Sequence, residues 1–356
     1  MPPLYLSTRH LAIVGLALLA CQSGPLGGEG GTGGGRVDSG MGSGGAPTTT
    51  GTTTNTGTTT NTGTKSTTNT NTGTKSTTNT TTATNTGTGM GARALEVCQR
   101  WKADRADLAE GTWTGDVASC TPGDLTGPGR ANALKLVNLY RFLAGMGPVT
   151  GDPGMDALAQ GCALLQTANN SLSHTPPATW LCYTEAFAAA AGKSSISSGR
   201  LVRAIDGFIA EDAANADTMG HRRWIFANSL GPVGFGMAKA SCFYQVGGKG
   251  DARMPFVPWP PSGPVPLAAI TTTKVDANGW TLQSDTVNVN ADTVTVLDNG
   301  QPAPVTQSGL GANYGSKYAI RFVPTGWKTQ PGHTYDVSVS GTTVAYSVEV
   351  VDCPSP

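Results

Sequence analysis

The chain has 356 residues and a formal net charge of zero, with 23 basic and 23 acidic side chains. Without a basic stripe it lacks the electrostatic footprint of a nucleic-acid binder, so no nucleic acid is expected as a partner. No apolar run reaches the ~18 residues that a membrane-spanning helix requires.

At the N-terminus, Arg9 and His10 precede a short apolar run from Leu11 to Ala20, followed by Cys21. Such a run suits the core of a signal peptide, here residues 1–20. Leu18-Leu19-Ala20-Cys21 resembles a bacterial lipobox. That resemblance implies acylation of Cys21 and a lipoprotein at the cell surface or outer membrane, with the membrane as a partner through the lipid anchor. Residues 21–92 are mostly Gly, Thr, Asn and Ser, and Asn-Thr-Gly-Thr-Lys-Ser-Thr-Thr-Asn-Thr occurs at 61–70 and again at 71–80. So few apolar side chains cannot offset the entropy of ordering. The segment is expected to be a disordered tether with a root-mean-square reach of roughly 45 Å.

Six cysteines follow: Cys98, Cys120, Cys162, Cys182, Cys242 and Cys353. An even number in an exported chain implies three disulfides. Pairing neighbours along the chain gives the expectation Cys98–Cys120, Cys162–Cys182 and Cys242–Cys353. No Cys-x-x-Cys spacing occurs, so a zinc-thiolate site is not expected.

Residues 93–253 form the central domain in this reading. Apolar periodicity predicts a helix from Asn132 to Ala144, stopped by Gly145 and Gly147-Pro148. A second helix is predicted from Pro153 to Asn169, with Met155, Leu158, Ala159, Cys162 and Leu165 as its stripe. The Pro-bounded loop Leu172-Ser173-His174-Thr175-Pro176-Pro177 comes next. A third helix is predicted from Gly199 to Asn215, with Asp212 near its buried side and Glu211 on a neighbouring side beside the small residues Ala204 and Gly207. The segment Met219-Gly220-His221-Arg222-Arg223-Trp224-Ile225-Phe226 leads to Val233–Met237, a strand whose glycines suggest close approach to another backbone. Cys242 to Val246 is a second short strand.

Six prolines between Met254 and Pro266 predict a stiff, extended linker over 254–266. From 267 to 356 the pattern alternates with period two at Val287/Val289, Val294/Val296, Tyr335/Val337/Val339 and Tyr346/Val348/Val350. Asp298-Asn299-Gly300 and Ser340-Gly341 are turn signals. A small Ig-like β-sandwich is expected, with His333 as a turn residue.

His174 and His221 are the only histidines of the central domain. Two imidazoles with carboxylates in one pocket could hold a divalent cation such as zinc, or act as acid and base. Residues 131–250 resemble the CAP superfamily of cysteine-rich secretory, antigen 5 and pathogenesis-related proteins. Asn138-x-x-Arg141, Ser173-His174, Phe208-x-x-Glu211, Gly220-His221-Arg222 and Val233-Gly234-Phe235-Gly236 carry the likeness. The resemblance implies an α+β fold, an α-β-α sandwich with a central antiparallel sheet. It also implies a cleft lined by two His and two Glu. His174, Glu211 and His221 map onto three of those positions. The fourth falls on Glu185, or in another frame on Ser194. The expected function is extracellular binding of a small molecule, lipid, cell-surface ligand or divalent cation. With neither Gly-x-Ser-x-Gly nor His-Glu-x-x-His present, no catalytic residue is assigned. A peptidase-like hydrolase using the same His/Glu residues and an adhesive surface protein without a working cleft are the alternatives.

Overall fold

The computed structural model describes residues 91–353, apart from residue 291. The expected signal peptide, Cys21 and nearly all of the expected tether lie outside the described residues. Among the described residues no helix is long and apolar enough to cross a membrane.

Helix α1, Ala92–Asp104, buries Ala94, Val97, Cys98 and Trp101, spaced so as to share one side. Strands β1, Thr112–Trp113, and β2, Leu125–Thr126, pair as a short antiparallel ribbon. Helix α2, Gly129–Leu143, starts earlier than the periodicity predicts and buries Leu136, Val137, Leu139, Tyr140 and Leu143. Helix α3, Pro153–Ala168, has Pro153 in its first turn, and the Asp152 side chain accepts from the Met155 N–H at 2.8 Å. Helix α4, Glu185–Ala191, strand β3, Ser194–Ser197, and helix α5, Leu201–Ala210, follow. The N-terminus of α5 is capped from far upstream: buried Glu110 accepts the N–H groups of Val202 and Arg203 at 2.6 and 3.0 Å. Helix α6 is Gly220–Ile225, and strands β4, Gly234–Met237, and β5, Ser241–Tyr244, complete the central domain.

The central sheet has the order β3-β5-β4 and is antiparallel throughout. Alternation along the strands splits it between two helical layers. Cys242 and Tyr244 pack with Ala159, Cys162 and Ala163 of α3, whereas Phe235 and Phe243 join the core formed with α2 and α5. This is the expected α-β-α arrangement. The glycines of β4 are required by contact: a Cβ on Gly236 would lie 2.2 Å from the Ala159 carbonyl carbon, and one on Gly234 2.2 Å from that of Met155.

The disulfides correct the expected pairing. They join Cys98 to Cys353, Cys120 to Cys182 and Cys162 to Cys242. Proximity along the chain misleads because α3 lies flat on β5, which brings Cys162 against Cys242. Cys182 is thereby left for Cys120 in the turn between β1 and β2. Three disulfides fit an extracytoplasmic location.

The expected linker is extended, but it is not a spacer. It contains β6, Val257–Trp259, and β7, Gly263–Pro266. Helices α7, Leu267–Thr272, and α8, Val275–Asn278, lead to β8, Trp280–Ser284. Strands β9, Val294–Asp298, β10, Gln301–Pro302, β11, Val305–Gly309, β12, Tyr318–Pro324, β13, Thr334–Val339, and β14, Ala345–Val351, make up the rest. One sheet runs β10-β9-β13-β14-β7 and the other β11-β12-β8-β6. Val287 and Val289 alternate as a strand would, yet they lie in an irregular segment. Trp259 joins the two parts of the chain. It is fully buried, stacks on Phe226 at 5.2 Å and meets Tyr140 edge-on at 5.5 Å. One apolar core therefore runs from α2 through Trp259 to Trp280 and Tyr335 of the sandwich.

Candidate functional site

Asn138 and Arg141 of α2 lie behind the site and organise it. Asn138 exchanges two hydrogen bonds with the backbone of Val149, at 2.8 and 3.0 Å, which fixes the turn after the helix. Arg141 donates to the carbonyls of Gly147, Ile225 and Ala227 and so holds the end of α6 against α2. Burial lowers the pKa of its guanidinium to about 10.

His221 is the second residue of α6. Its Nδ1 lies 3.0 Å from Glu211 Oε2, and its ring rests on Phe208 with centroids 5.1 Å apart. A carboxylate only accepts, so Nδ1 carries the proton, and in the neutral ring Nε2 keeps its lone pair. The other Glu211 oxygen accepts the Arg222 backbone N–H at 3.0 Å. The Glu211 side chain is wholly shielded from solvent, so it acts as the holder of His221.

Glu211 does not lie inside a helix, as the spacing predicted. α5 stops at Ala210, and Glu211 takes φ +54° as its C-terminal cap. Only by leaving the helix can its carboxylate turn back beneath the first turn of α6. Asn278 supports this strained backbone by donating to the carbonyls of Ala210 and Glu211 at 3.0 and 2.6 Å. Residues 213–215 form a single 3₁₀ turn, and Asp212 is exposed rather than buried. Gly207 has open space about its Cα, as its position on the small-residue side suggested.

His174 lies in the loop after α3, with Nδ1 3.1 Å from the Ala191 carbonyl oxygen at the end of α4. That oxygen also only accepts, so the neutral ring again presents Nε2. The residue has an exposed outer surface, yet the protein packed around its ring lowers its pKa from 6.5. The hydrogen bond to Ala191 opposes this shift, and the charge of His221 adds to it. The two imidazoles are thus within electrostatic reach of each other.

Neither frame for the fourth position adds to this pair. Glu185 is the first residue of α4, exposed, where the helix N-terminus favours a carboxylate. Ser194 is buried in β3 and donates to the Ala190 carbonyl at 2.8 Å. Among the described residues no three His, Cys, Asp or Glu side chains are grouped to hold a metal ion. Each imidazole is held by its own acceptor, Ala191 for His174 and Glu211 for His221.

The arginines after His221 turn into the protein, and their role is not legible in the motif. Arg222 is fully buried and donates to the carbonyls of Ile209, Ala210 and Gly279. Burial lowers its pKa to about 9, against the opposing charge of Glu211. Arg223 donates to the carbonyls of Thr218, Gly311 and Ser316. Both clamp the His221 segment to the β-sandwich. A backbone carbonyl leaves no trace in the residue types, so these partners could not be found from the sequence.

Residues 134–247 match the model of the cysteine-rich secretory protein family, CAP. No curated protein and no solved structure matches the chain.

Proposed function

The chain belongs to the CAP superfamily through its central domain, and on that premise we propose that it is an extracytoplasmic, lipid-anchored ligand-binding protein whose cleft is read by His174 and His221. The observation that carries this reading is the matched anchoring of the two rings. Each Nδ1 is held by an acceptor within the protein, Ala191 O at 3.1 Å and Glu211 Oε2 at 3.0 Å, so each neutral ring keeps its lone pair on Nε2. Metal-binding histidines are oriented in this way.

A divalent ion such as zinc would find two imidazole nitrogens here, fewer than the three or four protein ligands of ordinary zinc sites, so its remaining positions would be filled by water or by oxygens of a bound ligand. The ion would supply Lewis acidity. The chain's own part is to fix both rings, and for His174 the surrounding protein also favours the neutral form. Calorimetric titration of zinc at about pH 7.5 and about pH 5.5 tests this. Binding should weaken at the lower pH and in both His174→Ala and His221→Ala. Equal binding by the wild type and both variants would exclude the histidines as the site.

The Glu211–His221 hydrogen bond also favours a second reading, in which the pair activates water for hydrolysis. Turnover of a peptide or envelope polymer, lost in His221→Ala, would select it. Anchoring rests on Leu18-Leu19-Ala20-Cys21. Cys21→Ser should release the protein from membranes, and a variant that stays fully membrane-bound would exclude the anchor.

A further inference from the structure

We propose that the β-sandwich carries a second binding site, for a neutral pyranose oligosaccharide, in the cleft between the β9–β10 turn and the loop after β12. The cleft has a volume of about 470 Å³, and Trp327, Asp298, His333, Asn299 and Gln301 are among the residues that line it. It uses none of the residues of the histidine pair in the central domain.

The apolar wall of the cleft is Trp327, and it is rigid. One side of its indole stacks on Tyr335, with centroids 5.2 Å apart and an interplanar angle of 14°. Trp280 meets it edge-on at 5.8 Å. Its Nε1 donates to the Pro304 carbonyl at 2.7 Å, so the ring's one polar atom is already satisfied. What this side chain brings to the cleft is aromatic carbon held in one orientation. The negative face of such a ring attracts the slightly positive C–H groups of a sugar face, and a platform that cannot rotate loses little entropy on binding.

Polar groups surround this wall. His333 Nδ1 lies 2.6 Å from Asp298 Oδ1, so Nδ1 carries a proton and, in the neutral ring, Nε2 is an acceptor. Both side chains are partly open, His333 at 31% and Asp298 at 25%. Asn299 Oδ1 accepts the Thr334 N–H at 3.1 Å, which leaves its amide N–H groups as donors. Asn299 and Gly300 have φ of +46° and +80°, the hairpin turn that Asn-Gly favours, so these groups sit on a fixed corner. Gln301 is exposed on the same hairpin and provides both a donor and an acceptor.

A flat apolar wall ringed by mixed donors and acceptors matches a pyranose, whose hydroxyls each donate and accept around an apolar face. Charge argues the same way. Among the described residues that line the cleft none is Lys or Arg, and its one carboxylate is engaged by His333, so a phosphate or sulfate would find no counter-charge. A proline-rich peptide would also use the aromatic wall, but with few N–H groups it would leave the Asp298 and His333 acceptors without donors, which the hydroxyls of a pyranose supply.

The test titrates the full-length protein with cellotetraose, chitotetraose and maltotetraose, following heat and tryptophan fluorescence. Decaproline and a sulfated disaccharide serve as comparators. At least one neutral tetrasaccharide should bind with a dissociation constant of about 1 mM or tighter. Trp327→Ala and Gln301→Ala should each weaken it at least about tenfold. Trp327 packs on core aromatics, so its variant could be destabilised; Gln301→Ala, on an exposed hairpin, should keep the wild-type melting temperature while losing affinity. Absence of binding by all three sugars, unchanged binding in both variants, or preference for decaproline or the sulfated sugar would each overturn the proposal.

Discussion

Glu211 accepts the His221 Nδ1 proton at 3.0 Å with one oxygen and the Arg222 backbone N–H at 3.0 Å with the other, in a position closed to solvent. An amide cannot replace it. In Glu211→Gln one of the two acceptors becomes a donor, so an N–H faces an N–H or the His221 ring changes tautomer. The variant should lose about 1–3 kcal/mol of stability. Nitrogen NMR of the ring should show the proton moving from Nδ1. Unchanged melting together with an unchanged tautomer would mean that the carboxylate does not hold the ring.

His174 gives a pH dependence whose sign follows from its surroundings. Packing around the ring lowers its folded pKa below 6.5, so the fold favours the neutral form. The stability linked to this group is present above the unfolded pKa, about 6.5, and is lost as pH falls from there through the lower folded value. Solvent at its outer surface screens the effect and keeps it small. Urea denaturation at a series of pH values should show a decline below about pH 6.5 that is shallower in His174→Gln. A parallel decline in the variant would assign it to other groups.

Arg222 donates to the buried carbonyls of Ile209 and Gly279 and to the Ala210 carbonyl, which Asn278 also serves. Arg222→Met would strand the first two and should cost about 3 kcal/mol or more. Arg222→Lys should recover little of this, since an ammonium cannot span carbonyls on three sides as the planar fork does. Because Gly279 leads into β8, loss of the clamp should destabilise the central domain and the sandwich together, in one unfolding transition. Two separate transitions in the wild-type protein would contradict a shared core.

Two glycines offer a matched comparison. Gly236→Ala forces a Cβ against the Ala159 backbone and should cost about 1–3 kcal/mol. Gly207→Ala places its methyl in open space inside α5, where Ala is favoured over Gly by roughly 0.5–1 kcal/mol. Thermal melts should move in opposite directions. Equal effects would argue against the close approach of β4 to α3.

Peptide mapping without reduction should recover Cys98 with Cys353, Cys120 with Cys182 and Cys162 with Cys242. Any pairing of neighbours, such as Cys162 with Cys182, would contradict the layering of α3 on β5.

What could be read from the sequence followed where the physics was local. α2 and α3 show in their periodicity, and Asp152-Pro153 marks the start of α3. The Asn299-Gly300 turn is visible because few other pairs tolerate two positive φ angles in succession. β6 and β7 are hidden by their prolines, which normally break strands. Both are edge strands, β6 beside β8 and β7 beside β14, where a missing N–H is tolerated. β8 alternates over only four residues, Trp280 and Leu282 against Thr281 and Gln283, too short a stretch to stand out, and its polar side chains are buried as well. The candidate site was legible as residue types, His174, Glu211 and His221. Its geometry was not, because it depends on a helix that ends one residue before Glu211 and on the carbonyl of Ala191.

The bond from Cys98 to Cys353 closes a covalent ring over 255 residues, from within α1 to just past β14. A protease that cuts once at any exposed loop inside this ring, the His174 loop included, produces two pieces that cannot diffuse apart. They would run as one band until reduced and as two afterwards. A nicked molecule would therefore keep its central domain and its sandwich on the same body, and shedding either part would take a second cut or a reductant.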